Sequence, residues 1–295
     1  MIAEGLTQPP SLAEAYAHCR RLATRHHENF TVASWLLPRA FRPHMYAVYA
    51  YCRGVDALGD EAAGDRLALL DAWEAELRCC YGGAARQPAF LALQDTIRRF
   101  DIPPAPFLRL IEANRADQRI NRYPTYADLL AYCENSANPV GHLVLYLFGY
   151  RDAERQRLSD ATCTALQLAN FWQDVRRDLD KGRVYIPLED MERFGYLEAD
   201  LLAGRANDAF RSLMAFEVAR TRDLFREGLA LIPKARGRLR LDLRLFSLGG
   251  LAVLDAIERG GYDTLSRRPK LSRGRKAALF LRGLLPLPVR VGGAR

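Results

Sequence analysis

No apolar run in this chain approaches the roughly 18 residues that a membrane-spanning helix requires, so no such helix is expected. Met1 to Pro10 lack the basic start and apolar stretch of a secretory signal, which points to a reducing, cytoplasmic compartment. Cysteine is sparse: Cys19, Cys52, Cys79, Cys80, Cys133 and Cys163 form no Cys-x-x-Cys pair and no zinc-like spacing with the five histidines. A thiolate metal site is therefore not expected. There is no Gly-x-Gly-x-x-Gly fingerprint and no alternation of strand and helix patterns, so a dinucleotide-binding domain is not expected either. Internal repeats at solenoid spacing and low-complexity stretches are also missing.

Acid is missing from one end. After Asp263 no Asp or Glu remains, while Ser266 to Arg295 carries nine basic residues. The net charge is +8, and with those nine set aside the rest of the chain carries −1. The basic character therefore belongs to a tail from about residue 266 and not to the body. Ala277 to Leu285 interleaves this charge with apolar residues, which leaves two readings open. One is a peripheral contact with an anionic membrane, where each Lys or Arg contributes ~1 kcal/mol. The other is a solvated, partly helical terminus. The tail carries no recognised nucleic-acid module or aromatic platform, and no nucleic-acid partner is expected.

What is present is helical periodicity. Apolar residues recur at three- and four-residue intervals, as in Leu67, Leu70, Trp73 and Leu77, in a chain of 295 residues with 49% hydrophobic content. Breakers such as Pro38, Pro43, Gly82-Gly83, Pro103-Pro104, Gly149, Gly182 and Gly260-Gly261 leave room for nine or ten helices. No compositionally distinct linker divides the chain, so the reading is one all-α domain, 1–295.

Two of these helices end in paired acids. Asp56 with Asp60, and Asp174 with Asp178, stand four apart, so a helix projects each pair from one face about one turn apart. Like charges so placed cost a helix about 0.2–0.5 kcal/mol and call for a cation. Hard oxygen donors point to magnesium, which takes one or two carboxylates together with phosphate oxygens. With 35 acids in the chain, however, chance alone yields about four pairs at this spacing. A solvated acidic face and a metal–diphosphate site both remain open on spacing alone. Context raises the second to equal standing with the first, because both pairs close apolar helices at the end where the macrodipole opposes negative charge.

At these residues the sequence resembles the squalene and phytoene synthase family. Gln167-Leu-Ala-Asn170-Phe-Trp-Gln-Asp174-Val-Arg-Arg-Asp178-Leu-Asp-Lys181-Gly182-Arg183-Val-Tyr185-Ile-Pro187 is similar to the family's second aspartate-rich motif. Tyr49-x-x-x-Arg53-x-x-Asp56-x-x-x-Asp60-Glu61 resembles the first, with Ala57 where the common form has a second adjacent acid. His26 to Pro38 and Tyr132 to Gly141 resemble the hydroxysqualene synthases of hopanoid biosynthesis, with Asn29 where phytoene synthases usually have serine. The likeness runs from about His18 to Lys276 and includes Gly261-Tyr262-Asp263 and Arg267-Arg268.

The resemblance implies the all-helical isoprenoid synthase fold, with a central cavity between the two aspartate-rich helices. It implies a Mg-dependent enzyme that cleaves the carbon–oxygen bond of presqualene diphosphate and lets water capture the rearranged cation, giving hydroxysqualene. The alternatives within the family are presqualene diphosphate or phytoene synthesis; outside catalysis there is a scaffold role, which retention of Asp174 and Asp178 disfavours. By the same resemblance two or three magnesium ions sit on Asp56, Asp60, Asp174, Asp178 and Asn170, with Glu61 assisting and no nicotinamide needed. Arg53, Lys181, Arg183 and Arg267 would bind phosphate, Arg through its bidentate fork. His26, Asn29, Phe30, Tyr49, Tyr132 and Gln167 would contact the substrate. Phe30, Tyr132 and Phe171 would offer aromatic faces to a carbocation. For Tyr49 a core position, and for Asn170 a buried amide, are the structural alternatives. Enzymes upstream and downstream in squalene formation would be partners.

Overall fold

The computed structural model describes residues 10–25, 39–285 and 287–292. Among these every named element is a helix, and an isolated bridge pairs Arg122 with Val184. There are fourteen helices among the described residues, three of them of six residues or fewer. The eleven longer ones exceed the nine or ten expected. One reason is Pro139, which sits in the first turn of a helix, where a proline is tolerated, just past a break that the apolar pattern does not show.

The chain packs as two compact units, residues 1–119 with 139–152 and residues 120–138 with 153–295. Neither unit is contiguous, so no linker composition could mark the division.

The first unit contains α1 (Leu12–Arg25), α2 (Arg42–Asp60), α3 (Arg66–Gly82), α4 (Pro88–Phe100), α5 (Ala105–Ala116) and nearly all of α7 (Asn138–Leu147). Helix α2 is buried on two faces. Met45, Val48, Tyr51 and Val55 enter a core with Leu70, Leu77, Phe90 and Phe107, while Tyr46, Tyr49 and Ala50 pack with Ala15, Cys19 and Ala23 of α1. Each fully buried large apolar side chain contributes about 1.5–3 kcal/mol. Arg53, Asp56 and Asp60 follow Tyr49 along the same side of α2, in its last turns.

The second unit contains α6 (Tyr126–Ser136), α8 (Ala153–Asp180), α9 (Leu188–Arg193), α10 (Glu198–Leu202), α11 (Asp208–Gly228), α12 (Leu231–Lys234), α13 (Gly237–Arg259) and α14 (Arg273–Leu284). Its core centres on α8, whose Leu168, Trp172 and Val175 pack with Phe210, Leu213, Met214 and Leu254. The fully buried Trp172 donates its indole N–H to Thr221 Oγ1 at 2.8 Å, tying α8 to α11. Below it, the buried Glu217 accepts twice from Arg220, which also reaches Asp190 at 2.7 Å and lies 3.5 Å over the Tyr126 ring. This charged knot joins α6, α9 and α11. Burial, opposed by the Arg220 charge, pushes the Glu217 carboxyl above the usual range.

Candidate active site

The first acidic pair sits in the last turns of α2, with Asp56 and Asp60 both exposed. Arg53, one turn earlier and partly buried, donates to Glu61 Oε1 at 2.6 Å. The phosphate-binding candidate and the acid expected to assist the metal therefore neutralise each other. Tyr49 is 5% exposed in the core shared with α1, the structural alternative raised for it. Asn114 of α5 and Gln118 just beyond its end, both missed by sequence reasoning, support this turn. Asn114 Nδ2 lies 3.4 Å from Asp56 Oδ1 and also donates to the Leu110 carbonyl. Gln118 donates to the carbonyls of Gly59 and Asn114, both at 3.0 Å. Gly59 is needed here because a Cβ at that position would meet Asn114 Oδ1 at 2.1 Å.

The second pair departs from the regular geometry that its spacing suggests. Helix α8 kinks at Asp174, where φ is −107° and ψ is 15°, so Asp174 and Asp178 flank a bend and not one regular turn. Asn170, one turn before the kink, is exposed, which removes the buried-amide reading; Gln167 is half-buried. The helix ends at Gly182, whose φ of 78° needs a residue without a Cβ. The Arg183 and Lys181 N–H groups then donate to the Asp178 carbonyl at 2.8 and 3.0 Å, and Arg122 Nη1 donates to the Gly182 carbonyl. This fixes the backbone of the motif. Arg183 is partly buried beside it, and Lys181 is exposed.

Arg268, paired with Asp174, is the largest unforeseen feature. Gly261 and Tyr262 both take positive φ, 66° and 60°, and Tyr262 N–H donates to the Ile257 carbonyl. Asp263 then accepts from Ser266 N at 2.9 Å, completing a turn that leads the chain to Arg267 and Arg268. Arg267 is exposed. Its neighbour Arg268 donates Nε to Asp174 Oδ1 and Nη2 to Asp174 Oδ2, the latter at 2.9 Å, and also reaches Gln173 Oε1 at 3.1 Å. Gln173 Nε2 donates in turn to the Pro269 carbonyl at 2.7 Å. The Asp174 carboxylate holds the Arg268 guanidinium in its charged form, above the usual Arg value. A sequence signal existed in the adjacent Arg267-Arg268 pair, but not one that chose between them.

Four aromatic rings lie next to this motif. Phe171 stacks on Tyr185 at 3.7 Å and 7°, Tyr132 packs against both at 6.2 and 5.8 Å, and Tyr123 stacks on Tyr185 at 5.7 Å. Phe171 thus has one face covered by Tyr185, a ring not singled out from the sequence. A cavity lined in part by Phe171, Asp178, Arg183 and Tyr185 is about 10 Å³, room for roughly one water and not for a prenyl chain. His26, Asn29 and Phe30 lie outside the described residues.

The donor set suits magnesium. Each motif presents hard carboxylate oxygens, and the bidentate guanidinium on Asp174 marks a carboxylate that draws a cation. Among the described residues no group of three or more His, Cys, Asp or Glu side chains forms a complete cage. Magnesium typically completes such a set with water and phosphate oxygens.

Residues 23–275 match the squalene/phytoene synthase family model. The 15-cis-phytoene synthase of Synechococcus elongatus is 34% identical over 90% of this chain and 91% of its own length. The phytoene synthase of Thermus thermophilus is 33% identical over 95% and 96%. Among solved structures, squalene synthase HpnC from Alicyclobacillus acidocaldarius is 55% identical, with a TM-score of 0.83 over 85% of this chain and 96% of that one. A dehydrosqualene synthase in complex with ligand gives a TM-score of 0.84 at 26% identity, covering 92% and 96%. These neighbours share the all-helical isoprenoid synthase fold.

Proposed function

Because the chain belongs to the squalene/phytoene synthase family, we propose that it converts presqualene diphosphate and water to hydroxysqualene and diphosphate. The observation that carries this choice is the 55% identity to HpnC, against 34% or less to the phytoene synthases above, together with the Asn29 and Tyr132–Gly141 signatures. Asp56 and Asp60 from one motif, and Asp174, Asp178 and Asn170 from the other, hold magnesium for the substrate diphosphate. Magnesium held there would supply neutralisation of the charge that develops on the departing diphosphate.

The chain's own groups do the rest. Arg183 and Arg268 bind phosphate oxygens, with Lys181 and Arg267 at the exposed margin. Asn114 and Gln118 hold the first motif in place. Once the carbon–oxygen bond breaks, the rings of Tyr132 and Phe171 stabilise the cation by ~0.5–2 kcal/mol each until one water attacks. Water capture needs no hydride, so no nicotinamide is required. The protein acts in the cytoplasm or at the inner face of the membrane, between enzymes that supply and consume its C30 compounds.

The test is product analysis of the purified protein with magnesium and no nicotinamide. Hydroxysqualene from presqualene diphosphate, and no product from farnesyl diphosphate, is the expected result. The 34% identity to a phytoene synthase across 90% of the chain supports a second reading, head-to-head prenyl transfer. Presqualene diphosphate or phytoene formed from the C15 or C20 diphosphate would establish it instead.

A further inference from the structure

We propose that α14 is an interfacial helix that docks the protein on an anionic bilayer. At 3.6 residues per turn, Ala277, Leu281, Leu284 and Leu285 fall in one apolar sector roughly 120° wide. The three leucines are 62%, 48% and 52% exposed, and Leu287 just beyond the helix is 51% exposed. Isolated exposed leucines are ordinary, but four within seven positions, three of them in one sector of the helix, are not. Arg273 borders this sector on one side, and Arg275 and Arg282 border it on the other. All three are exposed, and no acidic residue follows Asp263. An apolar strip with cations on both sides matches acyl chains lying between lipid phosphates.

The helix cannot turn this strip inward, because its opposite side is already fixed to the protein. Gly283 is buried, and a Cβ there would meet Leu245 Cδ2 at 2.3 Å, so α14 lies directly on α13. The buried Arg244 donates to the carbonyls of Gly283, Leu285 and Leu287, gripping the negative end of the helix. Val289 and Val291 then pack back onto the core of the second unit. The strip therefore points away from the side that α13 covers. This placement does not depend on which family reaction the protein performs, though its substrate and product in every proposed case carry long apolar chains that partition into such a membrane.

Sedimentation of the full chain with phosphatidylcholine vesicles, with and without one-quarter phosphatidylglycerol, tests the proposal. Truncation would strip Arg244 of its carbonyl partners, so point variants are used: Leu281→Gln with Leu284→Gln, and Arg275→Gln with Arg282→Gln. The wild type should bind the anionic vesicles, and raising the salt should weaken that binding. Each double variant should lose at least about tenfold in partitioning while keeping its melting temperature and its turnover in detergent. Equal binding to neutral and anionic vesicles, no binding by the wild type, or unchanged binding by the leucine variant would overturn it. A wild-type dimer that the leucine variant converts to a monomer, without vesicle binding, would assign the strip to a second copy and also overturn it.

Discussion

Removing the Arg268 side chain should move magnesium affinity in opposite directions depending on whether a diphosphate is present. The guanidinium makes two hydrogen bonds to Asp174, and the two side chains are 31% and 22% exposed. Hydrogen bonds to charged groups contribute about 1.5–3 kcal/mol, and solvent screening at this exposure reduces the pair to about 1–2 kcal/mol. Magnesium alone must give up this pairing to reach Asp174. Arg268→Gln should therefore tighten metal binding about 5- to 30-fold, at roughly 1.4 kcal/mol per tenfold. With inorganic diphosphate bound, the guanidinium has a second anion to serve, and its loss should weaken magnesium–diphosphate binding by a similar factor. Calorimetric titration of the two variants with magnesium, then with magnesium and diphosphate, measures both. Unchanged or weaker affinity for magnesium alone would refute the view that Arg268 holds the place of a metal. Arg268→Lys keeps the charge without the fork and should fall between the two.

Gly59→Ala places a methyl group against Asn114, which is only 7% exposed. Overpacking costs about 1–3 kcal/mol, against a gain of about 0.5–1 kcal/mol for replacing a helical glycine. Denaturant titration should show no net stabilisation and up to about 2.5 kcal/mol of loss; a gain near 1 kcal/mol would mean that the contact is not tight. Glu217 is pushed up to about 8 by burial, against an ordinary value of 4.5, with Arg220 and Asp190 as its charged neighbours. A raised carboxyl favours folding while protonated, so its contribution is full below 4.5 and declines as pH rises towards 8. Melting temperatures across that range should therefore fall more steeply for the wild type than for Glu217→Gln, and parallel profiles would show that Glu217 is ionised throughout.

The helical fold and both acidic motifs were legible because they are local. Apolar periodicity marks α2 and α8, and Gly182 marks where α8 ends. What the sequence concealed arises from pairing across long separations. Arg268 meets Asp174 across 94 positions, and nothing in the pattern around Arg267-Arg268 favours the second arginine. The kink at Asp174 is likewise invisible to spacing, since four-residue separation presumes an unbroken helix. Glu217 reads as a surface acid on an amphipathic helix, and only tertiary packing buries it, with Asp190 of α9 and Tyr126 of α6 gathered around its partner Arg220. Tyr49 shows the converse: its apolar neighbourhood allowed a core position, and in the structure it packs with residues of α1.

Diphosphate release from presqualene diphosphate by the wild type, Asp56→Ala and Asp174→Ala, each confirmed folded by circular dichroism, tests the central claim most directly. Both motifs are required if they hold magnesium for one leaving group, so each variant should lose release by at least about a hundredfold, some 2.7 kcal/mol of barrier. Normal release by either folded variant would contradict the account.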